Sequence, residues 1–127
     1  MQRSVCLVII QKKKLLVIKK GNFWDLPGGK LKINELEIDF IFNEIRRKIP
    51  GLNLGNVEPY GYFNGKTLFR WNALKSKIYL LRTNQMIRLG NSEVRKIKWI
   101  SNVNVDNHRL SKTTKIVFRL LKNEGCL

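Results

Sequence analysis

The sequence predicts an α/β fold, and three observations lead to that prediction. Short runs of β-branched and aromatic residues alternate with two segments of helical periodicity, in the order ββ–loop–β–α–βββ–β–α. The chain has 127 residues, of which 43% are hydrophobic, and that is enough for one compact core. No linker, repeat or low-complexity segment interrupts it. We therefore expect one domain over residues 1–127.

The first third of the chain predicts a hairpin followed by a loop. Ser4–Ile10 and Leu15–Lys20 are rich in β-branched residues, and the polar run Gln11–Lys14 between them indicates a turn. Residues 21–29 contain a proline and three glycines, which predict a loop. A short extended stretch, Lys30–Lys32, follows that loop.

A helix is predicted from Asn34, a good N-cap, to about Ile49, where Pro50 and Gly51 end it. Acidic residues in its first turns complement the helix dipole. Its apolar residues recur at spacings of three, four and seven, which predicts one buried stripe. These residues are Ile38, Ile41, Phe42, Ile45 and Ile49.

The second half of the chain predicts four more strands and a final amphipathic helix over about Ser111–Lys122. Asn64-Gly65 indicates a turn between two of the strands, and residues 83–92 form a polar loop. The predicted strands are Val57–Phe63, Leu68–Trp71, Lys77–Leu81 and Arg95–Ile100.

The net charge of +16 makes an anionic partner such as RNA plausible, because clustered cations release counterions from a phosphate backbone. An AT-rich coding bias would also give a chain rich in Lys, Ile and Asn, with no function attached. Binding of an anionic partner predicts that the charges cluster, whereas coding bias does not. Aromatic residues between the cations are candidate base platforms, although aromatic residues in strands usually belong to the core. These are Phe23, Trp24, Tyr60, Tyr62, Phe63, Phe69, Trp71 and Tyr79.

Several classes of protein and site are disfavoured by composition. No apolar run approaches the ~18 residues of a membrane span, and Val5–Ile10 is too short for a secretory signal, so we expect a cytoplasmic protein without a membrane partner. Cys6 and Cys126 have neither metal-ligand nor redox spacing. His108 has no second histidine or cysteine near it, and we interpret it as a surface loop residue.

The segment Trp24-Asp-Leu-Pro-Gly-Gly-Lys-Leu-Lys and the helix after it resemble the signature of the Nudix pyrophosphohydrolases. That signature is G-x5-E-x7-R-E-U-x-E-E-x-G-U, in which U is aliphatic. From Gly29, the pattern matches at Glu35, Glu44 and Ile45. The resemblance covers essentially the whole chain through its element order. It implies an α/β/α sandwich with a mixed sheet between the helices.

The chain departs from the signature at the residues that carry the family's chemistry. Asn43 stands in place of the arginine, and Pro50-Gly51 in place of the glycine and the aliphatic residue. Arg47 and Lys48 replace the two adjacent glutamates, which are the family's main ligands for Mg²⁺ or Mn²⁺. A divalent cation placed there would meet two fixed cations, so we expect at most weak metal binding.

The resemblance also assigns roles to residues that remain. It implies that Glu44 ligates metal or acts as a base, that Glu35 is structural, and that Gly28 offers a backbone carbonyl to a metal. Glu93 lies where such enzymes often carry a further catalytic glutamate on a loop. A weakened one-metal site from Glu44, Glu93 and the Gly28 carbonyl is therefore one hypothesis. Glu37, two turns before Glu44 on the same helical stripe, is a possible addition.

The other hypothesis is that Arg47 and Lys48 replace the metal electrostatically. Together with Gly28, Gly29 and Lys30 they would bind the phosphates of a nucleotide, another phosphorylated molecule or RNA without efficient hydrolysis. A third interpretation, a solvated basic helix face with no ligand, stays open. Because dimers are common in the fold, the resemblance also implies a possible homodimer.

Overall fold

The computed structural model describes residues 3–49, 52–55, 57–63, 68–69, 76–84 and 96–127. These residues contain eight strands, two α-helices and one 3-10 turn, Val105–Asn107. The helices are α1, Glu37–Lys48, and α2, Lys112–Asn123. The strands are β1 Ser4–Gln11, β2 Lys14–Lys20, β3 Phe23–Asp25, β4 Gly28–Lys30, β5 Glu58–Phe63, β6 Leu68–Phe69, β7 Ser76–Arg82 and β8 Ile97–Ile100.

β1 is the central strand of a mixed sheet. It pairs with β7 in parallel over its length, from Ser4 opposite Ser76 to Ile10 opposite Arg82. On its other edge it pairs antiparallel with β4 at its start and with β2 at its end. The described strands run in the order β3-β2-β1-β7-β5-β6, with β8 on β2. Parallel pairing of β1 and β7 requires a crossover connection, and the connection here contains α1.

The sheet lies between the two helices, as the predicted α/β/α sandwich requires. Successive residues of β1 point to opposite faces, so the strand contributes to two cores. Leu7 and Ile9 pack in one cluster with Ile41 and Ile45 of α1. The cluster on the other face contains Val8 and Ile10 of β1 with Val117, Phe118 and Leu121 of α2. The predicted apolar stripe of α1 is confirmed: three of its isoleucines are buried, and Ile38 and Phe42 pack against them.

The predicted start of α1 is wrong. The helix begins at Glu37 after the N-cap Leu36, which makes no side-chain capping bond. Asn34 instead adopts a left-handed conformation with φ 66°, which asparagine tolerates better than most residues. The carboxylate of Glu35 accepts a hydrogen bond from the Lys32 amide at 3.0 Å. Both residues therefore shape the turn that leads into the helix.

The loop predicted at residues 21–29 contains two short strands. β3 pairs with the end of β2, where Lys20 lies opposite Phe23, and β4 begins at Gly28, earlier than the predicted stretch Lys30–Lys32. Gly28 has φ 150°, and a Cβ there would overlap the carbonyl oxygen of Val5 on β1. Only glycine allows this approach. Trp71, Arg95, the turn Asn64-Gly65 and most of residues 83–92 lie outside the described residues.

The carboxylate of Asp25 joins β3 to the start of α2. Its Oδ1 accepts hydrogen bonds from the Ser111 hydroxyl at 2.8 Å, the Thr114 hydroxyl at 3.0 Å and the Leu26 amide at 2.8 Å. Ser111 is also the N-cap of α2, since its Oγ accepts from the Thr114 amide at 3.2 Å. Thr114 is fully buried, so its hydroxyl has no access to water as an alternative partner.

We predict that Asp25→Ala lowers the free energy of unfolding by about 2–3 kcal/mol, because it leaves a buried hydroxyl and the N-cap without their charged acceptor. Asp25→Asn, which keeps an acceptor oxygen, should cost less. Urea denaturation followed by circular dichroism measures both. Asp106→Ala removes an exposed acid and serves as the control. Equal losses in Asp25→Ala and Asp106→Ala would refute this role for Asp25.

Candidate functional site

β4 and the polar side of α1 form the candidate site. Gly29 brings β4 against the helix, since a Cβ at Gly29 would lie 2.9 Å from Cζ of Phe40. The Phe40 ring would have to move to make room for a side chain there. Gly29 thus lets β4 pack closely on Phe40 of α1, while Gly28 lets β4 pack closely on β1. Lys30, the next residue on β4, is exposed.

Glu44 is the centre of a small ion-pair network on α1. Its Oε1 accepts from Nζ of Lys48 at 2.7 Å and from the guanidinium of Arg47 at 2.8 Å. The Glu44–Lys48 pair has the i,i+4 spacing and the Glu44–Arg47 pair the i,i+3 spacing of neighbours on a helix surface. The side chains of Glu44 and Lys48 are only 17% and 16% exposed, whereas Arg47 is 68% exposed. Arg47 thus keeps most of its guanidinium in solvent.

The two cations determine the ionisation of Glu44. Burial by itself would raise the pKa of this carboxyl, but the hydrogen bonds and charges of Lys48 and Arg47 outweigh burial and lower it. Glu44 is therefore a carboxylate at neutral pH. Its negative charge is matched by two positive charges, so the group as a whole carries one excess positive charge.

The carbonyl oxygen of Gly28 is also in contact with a cation. Nζ of Lys20, on β2, donates to it at 3.2 Å and lies 3.9 Å from Oδ2 of Asp25. Sequence reasoning missed Lys20, because its approach depends on how β2, β3 and β4 meet. The only signal in the sequence was a lysine at the end of a strand that precedes the glycine loop.

Glu37 does not join Glu44. Its carboxylate pairs with Nζ of Lys77 on β7 at 3.6 Å. That ammonium also lies 5.0 Å from the ring centroid of Tyr79 and 5.6 Å from that of Tyr62. Burial lowers the pKa of Lys77, but its hydrogen bond and charge interaction with Tyr79 and the charge of Glu37 outweigh burial and raise it. The contribution of Glu37 to a metal site is therefore not supported.

The described donors do not fit a tight divalent metal site. Mg²⁺ and Mn²⁺ prefer several oxygen ligands, usually including more than one free carboxylate. Glu44 holds two cations and the Gly28 carbonyl holds a third. In the part of the chain that the structure describes, no group of three acids, histidines or cysteines is placed to hold a metal. Glu93, the remaining candidate, lies outside the described residues.

The remaining candidate residues from the sequence are the aromatic residues, Cys6 and His108. Tyr60 and Tyr79 are 7% exposed and belong to the two cores, while Phe23 is 43% exposed. Burial raises the pKa of the Cys6 thiol to about 12, so it is not a thiolate at neutral pH. His108 follows the 3-10 turn, with Nδ1 2.9 Å from the Asn104 carbonyl oxygen. Phe63, Phe69 and Trp71 are not among the described side chains.

Solved structures identify the fold. A MutT from a study of Aliivibrio salmonicida and Vibrio cholerae superposes with a TM-score of 0.70 at 16% identity, covering 97% of this chain and 98% of that one. The Nudix domain of NrtR from Shewanella oneidensis, in complex with ADP ribose, gives 0.63 at 17% identity, over 94% and 86% of the two chains.

A third neighbour is a bifunctional NMN adenylyltransferase/ADP ribose pyrophosphatase from Francisella tularensis, complexed with AMP and a manganese ion. Its TM-score is 0.64 at 20% identity, covering 98% of this chain and 41% of that one. No protein-family model and no curated protein sequence matches the chain. The chain therefore has the Nudix fold, as the signature predicted. No helix among the described residues is long and apolar enough to cross a membrane.

The lowered pKa of Glu44 predicts a pH dependence of stability. Because the folded pKa lies below the unfolded one, the ion pairs stabilise the fold above the unfolded pKa, and this contribution disappears as pH falls through the folded pKa. Glu44→Gln should therefore lose stability at neutral pH, and its difference from the wild type should shrink at acidic pH, as the pH falls through the folded pKa of Glu44. Urea denaturation at both pH values measures this, with Asp39→Asn, an exposed acid on α1, as the control. An unchanged difference at the two pH values would contradict the assignment.

Proposed function

We propose that this Nudix-fold chain binds a nucleotide or a nucleoside-diphosphate derivative at β4 and the polar side of α1, without efficient hydrolysis. The contact of both Arg47 and Lys48 with one carboxylate oxygen of Glu44 is the observation that supports it most directly. The site has the cations that a diphosphate needs, and they belong to the protein.

Arg47 is the best placed residue to contact phosphate. One of its terminal nitrogens is used by Glu44, and the side chain is otherwise 68% exposed, so N–H donors remain available to a ligand. Lys30 on β4 adds an exposed cation beside the glycine pair. Lys48, less exposed, keeps Glu44 neutralised so that its charge does not repel the phosphate. Each of these residues acts by attraction and needs no metal.

The same contacts disfavour hydrolysis. A general base needs a pKa near the working pH to accept a proton from water. The pKa of Glu44 is lowered by its two cationic partners, which makes it a weak base. The Gly28 carbonyl, offered to a metal in the family, accepts instead from Lys20. Binding energy at such a site stabilises the ligand without activating water.

The neighbours of the same fold support the choice of ligand class. The NrtR Nudix domain was crystallised with ADP ribose, and the Francisella enzyme with AMP. Both ligands carry an adenosine phosphate. A nucleotide or a nucleoside-diphosphate derivative is therefore the first class to test on this chain.

A divalent-metal-dependent pyrophosphohydrolase is the second candidate. It is favoured by the retained Gly28-Gly29 loop and Glu44, and by the manganese ion in the Francisella neighbour. Such an enzyme would act on a nucleoside diphosphate linked to another moiety. It requires ligands beyond the described ones, of which Glu93 is the candidate from sequence.

We predict that Arg47→Gln with Lys48→Gln weakens binding of ADP ribose or AMP about tenfold or more, the scale of losing charge-assisted hydrogen bonds. Isothermal titration calorimetry in the absence of divalent cations measures the affinity. Lys32→Gln with Arg46→Gln removes the same charge from exposed positions near the site and should leave binding unchanged. Equal affinities in the two double variants would overturn the assigned role of Arg47 and Lys48.

A turnover assay separates the two candidate functions. The wild type is incubated with Mg²⁺ or Mn²⁺ and with nucleoside triphosphates, dinucleotide polyphosphates, ADP ribose and capped RNA. We expect no efficient hydrolysis, because Glu44 is already held by protein cations. Rapid turnover of any of these substrates by the wild type would refute the binding function and support the hydrolase.

We also predict that Arg47→Glu with Lys48→Glu gains affinity for Mn²⁺, because two cations become two carboxylates beside Glu44. Electron paramagnetic resonance of free Mn²⁺ reports the binding directly and does not depend on activity. Lys32→Glu with Arg46→Glu gives the same change in net charge away from Glu44. A similar gain in both variants would indicate general attraction and not a recovered site.

A further inference from the structure

The outward face of α2 carries a regular row of cations. Lys112, Lys115, Arg119 and Lys122 are spaced by three, four and three residues, so they lie on one side of the helix, and all four are exposed. At the rise of an α-helix the row extends over about 15 Å. We call these four residues the α2 row. Their spacing along the helix axis is about 4.5–6 Å.

A cleft of about 470 Å³ opens beside this row. It lies between α2 and the segment that contains the 3-10 turn. Its apolar surface comes from Val105, Leu110 and Phe118, and its basic edge from the last three members of the α2 row. His108 and Asp106 complete the lining. A cleft with an apolar floor and a cationic edge suits a ligand that is flat and apolar at one end and anionic at the other.

Aromatic and cationic side chains continue this surface toward β3. The guanidinium of Arg109 lies 4.7 Å from the ring centroid of Phe23, and Nζ of Lys98 lies 5.1 Å from that of Trp24. Trp24 also meets His108 edge-on at 5.8 Å, which connects this group to the cleft. Phe23 remains 43% exposed, so part of its ring is open to a base. Surfaces that bind single-stranded nucleic acid usually combine cationic side chains with aromatic rings on which bases stack.

We infer that the α2 row, the cleft and the exposed ring of Phe23 bind single-stranded nucleic acid. The phosphates lie along the row, and an unstacked base enters the cleft against Phe118. Asp106 at the cleft wall disfavours a phosphate inside and can accept a hydrogen bond from an amino group of a base. The charges thus orient the strand with its base inward and its backbone outward.

The geometry favours a single strand over other anionic partners. In a duplex the bases are stacked and paired, so none is free to enter the cleft. An anionic membrane would be attracted by the row, but it has no group that fits a cleft lined by both Phe118 and Asp106. α1 and α2 lie on opposite faces of the sheet, so this surface is independent of the nucleotide site proposed at α1.

Fluorescence anisotropy with labelled oligouridylate or oligothymidylate of about twelve nucleotides tests the proposal. Lys115→Gln with Arg119→Gln should weaken binding at low salt and reduce the slope of log affinity against log salt by about 1.4, or roughly 0.7 for each lost phosphate contact. The RNA and the DNA strand are compared because only RNA offers a 2′-hydroxyl. Binding of either supports the proposal, and the tighter one identifies the strand.

The matched control is Lys32→Gln with Arg46→Gln, which removes two exposed cations on the α1 side. Its salt slope should stay at the wild-type value. Phe23→Ser should weaken binding at all salt concentrations without changing the slope, since a stacked base releases no counterions. Equal loss of affinity in the α2 and control variants would show nonspecific charge and overturn the proposal.

Two further outcomes would also overturn it: no binding of either strand by the wild type, or equally tight binding of phosphatidylserine vesicles with the same dependence on Lys115 and Arg119. Calorimetry with ADP ribose on the α2 variant keeps this test separate from the proposed nucleotide site. The α2 variant should retain nucleotide affinity, while Arg47→Gln with Lys48→Gln should retain the strand. Failure of one proposal is then distinguishable from failure of the other.

Discussion

The carboxylate of Asp25 connects the two halves of the molecule. Its Oδ1 holds Ser111 and Thr114 at the start of α2, and its Oδ2 lies 3.9 Å from the ammonium of Lys20. Lys20 in turn donates to the Gly28 carbonyl, on the strand that packs against α1 through Gly29. One partly buried acid therefore holds the N-terminus of α2 and lies beside the lysine that binds the glycine loop. The hydrogen bonds that Asp25 accepts and the one that Lys20 donates are charge-assisted, so they are stronger than neutral hydrogen bonds of the same length.

The candidate site at α1 takes its positive charge from the protein's own side chains. In the family that the fold defines, carboxylates attract metal, and the metal supplies positive charge for phosphate. Here Arg47 and Lys48 contact Glu44, and Lys20 contacts the Gly28 carbonyl, so the positive charge comes from fixed side chains. A fixed ammonium or guanidinium attracts an anion but does not generate hydroxide from bound water as a metal can. On the function proposed above, the site would therefore bind phosphate without activating water.

Local periodicity was sufficient to predict both helices and the hairpin, because each depends on neighbours within a few residues. It failed where distant segments decide the conformation. β3 exists because β2 offers it hydrogen bonds, and Lys20 reaches Gly28 only after β2, β3 and β4 have met. Asn34 was predicted as an N-cap from its residue type. In the structure it instead adopts a left-handed conformation in the turn that the Glu35 carboxylate closes. The cleft beside α2 could not be predicted from the sequence for the same reason, because Val105 and Phe118 line one cleft only in the folded chain.

The placement of cations argues against coding bias as the whole explanation of the +16 charge. Bias raises the number of lysines without selecting their positions, so it predicts cations scattered over the surface. On α1 two of them, Arg47 and Lys48, are directed at an acid. On α2 four of them follow one helical face, next to a cleft with an apolar floor. A mutational bias toward lysine does not explain why the cations contact an acid on α1 and follow one face of α2. Selection for a fold with one phosphate site at α1 and an anionic strand along α2 would produce both patterns.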